Sequence, residues 1–246
     1  ARNFDRFFLN GMTAADWQKA VDEFIPKMTD QVIENALAMQ PAEIRALPHN
    51  QNIVAKLKER RQYLAEEVMK YYHFLAETVT VTASDKEDLF DITRNDDGSL
   101  VVQVYKLKDG QKADKKYERL FLCVETKEVR LFGFDGEDKF LIKGNNDKVK
   151  IRMIGGGGAD IFEKADGGKG SSFVYDKKNG ENKIIGKFKN KMSNDSDVNR
   201  FERISYNYNK ASPGIAFGFN PDDGVFLGLT YKIISHGFRK DPYKSS

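Results

Sequence analysis

The chain of 246 residues carries 40 Lys and Arg against 37 Asp and Glu, for a formal net charge of +3. That near-balance argues against nucleic-acid binding driven by clustered basic residues, and the lone Cys123 leaves no internal disulfide and no cysteine zinc site. No apolar run approaches the roughly 20 residues of a membrane helix, and the opening at Ala1, without an initiator Met or a signal peptide, suggests a processed product or an excised region.

The first residues, ARNFDRFFLNGM, are aromatic and aperiodic, as in a strand or an arm docked on the body. Thr13 and Asp16 then have the spacing of a capping pair, and Trp17, Ala20, Val21 and Phe24 fall on one helical face. Thr29 caps a second helix striped by Val32, Ile33, Ala36 and Leu37, and Pro41 starts a short turn that Pro48 closes. The longest helix is expected from about Asn52 to Thr78, with Ile53, Leu57, Leu64, Val68, Tyr72 and Leu75 on its apolar side. Its charged segment, 56–61, reads as a solvated face with intrahelical pairs. The competing reading is an Arg60–Arg61 grip on a phosphate or an acidic partner.

At Thr78 the pattern changes from helical to alternating. Strands are expected at 79–82, 89–93, 100–105 and 117–124, with Asn95-Asp-Asp-Gly as a hairpin turn and Cys123 as a buried, inert thiol. The next stretch repeats itself. EVRLFGFDGEDKFLI from Glu128, KIRMIGGGGADIFEK from Lys150 and SFVYDKKNGENKIIG from Ser172 each begin 22 residues after the last. In that register Gly136, Gly158 and Gly180 align, as do Asp138, Asp160 and Asn182, and then Phe140, Phe162 and Ile184. Val129, Ile151 and Phe173 share a column upstream, and so do Leu131, Met153 and Tyr175. A fixed period with strand, Gly-Asx turn and strand predicts stacked rungs of a small β-solenoid, with Gly136, Gly158 and Gly180 one above another.

The expected fold is therefore α+β. A helical region covers 1–78, antiparallel strands 79–127, a three-rung solenoid 128–186, a polar linker 187–200 and C-terminal strands 201–246, the last ending in a β-hairpin around Asn220-Pro-Asp-Asp-Gly. Alternation of Phe226, Gly228, Thr230 and Lys232 with Val225, Leu227, Leu229, Tyr231 and Ile233 resembles outer-membrane barrel strands.

The run Gly155-Gly-Gly-Gly-Ala-Asp-Ile-Phe matches the calcium nonapeptide pattern, in which Gly allows the turn and Asp meets the ion. Calcium-binding turns at Asp138, Gly155, Gly156, Gly158 and Asp160 are one reading. Against it, calcium repeats recur at nine residues and the third row carries Asn182. In the other reading Gly136, Gly158, Gly180 and Asn182 only shape turns, Gly supplying positive φ and Asx bonding its own backbone. Three scattered histidines, no HExxH and no GxSxG leave no catalytic or metal constellation. Asp138 and Asp160 drawn as a carboxylate pair on adjacent strands would suit a hydrolase, without a nameable substrate.

Taken in order, MTDQVIENAL, KLKERRQYL, YYHFLA, ETKEVRLFGFDGEDKF, KIRMIGGGGADIF, VYD, GFNPDDGVFLGL and HGFRKDPY resemble the connecting region of Bacteroidetes-type outer-membrane proteins. Those fuse a calcineurin-like metallophosphoesterase to a surface-antigen, BamA-like barrel. The resemblance implies a non-catalytic module of the periplasm or outer membrane. Its partners would be the flanking phosphoesterase and barrel domains, with other envelope proteins also in reach and nucleic acid excluded. No DxH, GDxxD, GNH or GHxH motif is present, so no metal or catalytic residue carries over. A calcium- or glycan-binding solenoid is the alternative.

Overall fold

The computed structural model describes residues 2–165, 170–204, 206–222 and 224–245; the expected solenoid at 166–169, the expected strand at Ser205 and the hairpin turn at Asp223 fall outside them. Among the described residues the chain is mixed α+β, with helices first and an antiparallel sheet last. It divides into two compact units, Ala1–Phe201 and Glu202–Ser246.

The helices are α1 (Arg2–Phe8), α2 (Ala14–Phe24), α3 (Asp30–Ala38), α4 (Ala42–Arg45) and α5 (Pro48–Ala76), with a 3-10 turn at Ile25–Lys27. The aromatic opening is thus helical, and Arg6 docks it by donating to the carbonyls of Phe74, Leu75 and Thr78. Thr13 and Asp16 close a reciprocal capping box at α2, and the Thr29 hydroxyl accepts from the Val32 amide at α3. Trp17 of α2 packs on Tyr71 and Tyr72 of α5. The charged segment of α5 is used between helices and not only within one: Lys58 and Arg61 pair with Asp30 of α3 at 3.3 and 2.6 Å, and Lys58 also meets Glu34.

Fourteen strands follow among the described residues. β1 (Thr78–Thr82), β5 (Glu128–Asp135), β7 (Lys150–Gly157), β9 (Ser172–Tyr175) and β11 (Lys189–Asn190) form a parallel sheet in that order. The second sheet runs β10 (Lys183–Ile185), β8 (Ile161–Lys164), β6 (Lys139–Lys143), β2 (Asp88–Arg94), β3 (Leu100–Lys108) and β4 (Gln111–Phe121). Its first four strands are parallel and only the β2–β3–β4 pairings are antiparallel. Antiparallel pairing across 79–127 therefore stops short of β1, which pairs in parallel with β5.

Each sequence row contributes one strand to each sheet, because a turn separates two short alternating segments. The step from β5 to β7 and from β6 to β8 is 22 residues. Phe90, Phe140 and Phe162 lie in one buried column, with ring centroids 4.5 and 5.0 Å apart and planes nearly parallel. That spacing is the strand separation of a sheet, so the column is stacked by the backbone itself. Val79, Val129 and Ile151 face it from the other sheet, as do Val81, Leu131 and Met153.

Two expectations are corrected at the third row. β9 pairs with β7 at a step of 21, Met153 opposite Val174, so Val174 takes the core position. Phe173 lies opposite Arg152 and Tyr175 opposite Ile154, outside the Val129 and Leu131 columns. The row regains a step of 22 at β10 because its turn holds one residue more. The 187–200 stretch also carries structure, β11 pairing with β9 in parallel and α6 (Ser196–Asn199) following. Cys123 sits in the turn beyond β4, half-buried, and not inside a strand.

The second unit contains β12 (Lys210–Asn220), β13 (Gly224–Gly237) and β14 (Lys240–Ser245), an antiparallel sheet with β12 and β14 at its edges.

Candidate functional site

The Gly-Asx turns line one side of the two stacked sheets, where the chain crosses from one sheet to the other. The Asp138 amide donates to Asp160 Oδ1 and the Asp160 amide to Asn182 Oδ1, each at 2.8 Å. Asp88 extends the ladder, its amide donating to Asp138 Oδ1 at 2.8 Å. A side-chain oxygen from each row thus satisfies a backbone donor of the row before, which no strand partner reaches at the turn.

Asp138, Asp160 and Asp176 are fully buried, and the Oδ2 of each faces no donor among the described residues. Gly133 and Gly155 make room for these oxygens. A Cβ on Gly133 would overlap Asp138 Oδ2, and one on Gly155 would overlap both Asp160 Oδ2 and Asp176 Oδ2. By register Asp176 takes the place those glycines hold in the earlier rows. Burial pushes Asp138 up to about 8, the hydrogen bond from the Asp88 amide opposing the rise and the Asp88 carboxylate reinforcing it. Burial also raises Asp160, reinforced by Asp176 beside it, and burial raises Asp176 in turn.

The turn glycines have separate reasons. Gly158 at φ +111° lies directly over Gly136 at φ +116°, so a Cβ on Gly158 would overlap the Gly136 carbonyl oxygen. Gly156, also at φ +111°, lies against the Phe134 carbonyl. Gly180 does not join them: its nearest neighbours are Asn182 and Lys177 of its own turn, and its φ is not positive. The extra residue in that turn moves it off the column.

Sequence reasoning singled out Asp138, Asp160, Asn182 and the stacked glycines. It missed Asp88, whose spacing of 50 residues to Asp138 hides the repeat, and Asp176, which looks like an ordinary loop carboxylate. It also missed Arg94. This buried guanidinium donates to the Asn146 and Val149 carbonyls at 2.7 and 2.9 Å and to Ser172 Oγ at 3.2 Å, tying together the loops between rows. Burial lowers it to about 10.

The arrangement bears on the chemistry considered from sequence. The Oδ1 oxygens of Asp138 and Asp160 already accept amide protons. Asp138 and Asp160 are both inaccessible, so neither faces a substrate. The aromatic faces on the outside of the first sheet are occupied by cations, Arg152 at 4.7 Å and Lys189 at 5.0 Å from the Phe173 ring. Glu128 holds the same face together, pairing with Arg130 Nε at 2.8 Å, Arg152 Nε at 3.0 Å and Lys150 at 3.4 Å. Burial alone would raise Glu128, but Arg130 and Arg152 outweigh it and hold the carboxyl at about 2.

In the second unit one surface stands out. By register Ile215, Phe217 and Phe219 of β12 lie opposite Leu229, Leu227 and Val225 of β13, all on one face, with Tyr231 and Ile233 continuing it. The other face carries Ser212, Gly214, Ala216, Gly218, Gly228, Thr230 and Lys232, and two large apolar residues, Phe226 and Ile234. Phe217 is 72% exposed and Leu229 85%, so the large side chains are bare.

No protein-family model, curated protein or solved structure matches this chain.

Proposed function

We propose that this chain is a non-catalytic scaffold module of the bacterial cell envelope, in which a short β-solenoid of stacked rows carries a sheet belonging to an outer-membrane barrel. The observation that supports the reading best is the two-faced β12–β13 hairpin. Water-soluble sheets turn their large apolar side chains inward. Here they point into open space while the opposite face, Phe226 and Ile234 apart, is glycine, alanine and polar residues, the arrangement of a lipid-facing barrel wall with a wet interior. β12 has 11 residues, and a tilted strand needs about 9–11 to cross the hydrocarbon layer. Free edges at β12 and β14 are hazards for a soluble sheet but joining points for further strands of a barrel.

The in-register parallel rows, the Phe90–Phe140–Phe162 column and the Asx ladder support a solenoid whose role is rigid spacing. An envelope phosphoesterase joined to the same polypeptide is the partner this reading implies, by the resemblance set out from the sequence.

Envelope membranes from cells producing the full-length parent polypeptide test the reading. After washing with urea the chain is expected to stay with the membranes, and a Phe217→Asp, Leu229→Asp variant is expected to be released. Release of the unsubstituted chain by the same wash contradicts it.

A further inference from the structure

We infer that Asp138, Asp160 and Asp176 form a proton-loaded column that makes the grip between successive rows sensitive to pH, tight in acid and loosened in alkali. Three fully buried carboxyl oxygens lie along one line of turns without a donor, each in a slot that a glycine or a neighbouring row leaves open. An ionised carboxylate there would have neither water nor a counter-ion, so the neutral acid is the form the site accommodates. The protein supplies its own control. In the third row Asn182 replaces the Asp, and its amide oxygen accepts the Asp160 N–H at the same 2.8 Å by which Asp160 accepts that of Asp138. A neutral group therefore fills the ladder position fully. Asp160 Oδ2 and Asp176 Oδ2 flank the same point beside Gly155, so a proton on either carboxyl lies against the other.

The charged groups facing the column are few. Asp88 and Lys106 stand at its β2 end, where the Ser84 amide and hydroxyl occupy Asp88 Oδ2, and Lys177 stands at its β9 end with its amide on Asp176 Oδ1. Neither lysine pairs directly with Asp138 or Asp160 among the described contacts.

The sign follows from proton affinity. Asp138 rises from 3.8 to about 8 on folding, so its contribution is complete below pH 3.8 and is lost as pH climbs through about 8. Asp160 and Asp176 shift in the same direction.

Equilibrium unfolding of the full chain in urea across pH 5 to 9 tests this. The unfolding constant is expected to rise with pH, by at most about tenfold per unit for each proton that only the folded state retains. Asp138→Asn removes one such factor and makes the chain more stable than the parent at pH 9 while leaving it near parity at pH 5. A flat or falling profile for the parent overturns the inference, as does Asp138→Asn being equally destabilising at both pH values. Infrared spectra keep the question decidable if the variant does not fold. The parent at neutral pH should show the carbonyl band of protonated carboxyl groups, and its absence overturns the proposal.

Discussion

A methyl group placed on Gly158 meets a carbonyl oxygen, and the backbone there has a conformation that L side chains rarely adopt. Gly110 shares only the second problem, with φ +71° and open space around it. Gly110→Ala is therefore expected to cost about 1 kcal/mol and Gly158→Ala several times that, since rows must part to admit the new atom. Urea midpoints of the two variants check the ratio; equal costs would mean that Gly158 is not held between rows. Glu128 gives a second residue-scale prediction, opposite in sign to the aspartate column. Its folded value of about 2 lies below the ordinary 4.5, so its contribution is present above pH 4.5 and disappears as pH falls toward 2. Glu128→Gln should cost about 3 kcal/mol at pH 7 and little at pH 2, read from unfolding at the two pH values. Phe134, a non-glycine at φ 81°, keeps that conformation with its ring packed 5.2 Å from Phe201.

At the scale of elements, the phenylalanine column carries the stacked rows. Phe140 touches aromatic neighbours on both sides, so Phe140→Ala should cost about 3–5 kcal/mol, more than the same change at the column's end in Phe90. Unfolding free energies of the two variants decide it. Much of this element was legible in the sequence, since Phe140, Phe162 and Ile184 recur at the period the pairing uses. Three things hid the rest. The β3–β4 hairpin is inserted between the β1–β2 pair and the first row, so Phe90 and Asp88 stand 50 residues from their partners and escape a search at 22. One residue moved from β9 into the following turn leaves the overall period intact while changing which side chain faces inward, and that exchange of Phe173 for Val174 is invisible to spacing alone. The burial that protonates the aspartates depends on what surrounds them, and no local pattern reports it. Gly180 was read as a stacked glycine because its spacing is right, although its longer turn places it elsewhere.

At the scale of the whole molecule, the two units follow different rules. The first buries its large apolar residues between sheets, Phe90, Phe140 and Phe162 without exposed surface. The second turns Ile215, Phe217, Leu227 and Leu229 outward. Burying each such side chain contributes about 1.5–3 kcal/mol, most of which this sheet forgoes in water and would recover in the apolar medium proposed for it. The most direct test is thiol accessibility in the full-length parent polypeptide in envelope membranes, with Cys123 replaced by Ser and single cysteines placed along β12 and β13. A membrane-impermeant reagent is predicted to label cysteines at 214, 216, 228 and 230, on the face proposed to be wet, and to spare those at 215, 217, 227 and 229, on the face proposed to meet lipid. Uniform labelling along both strands would contradict the membrane assignment.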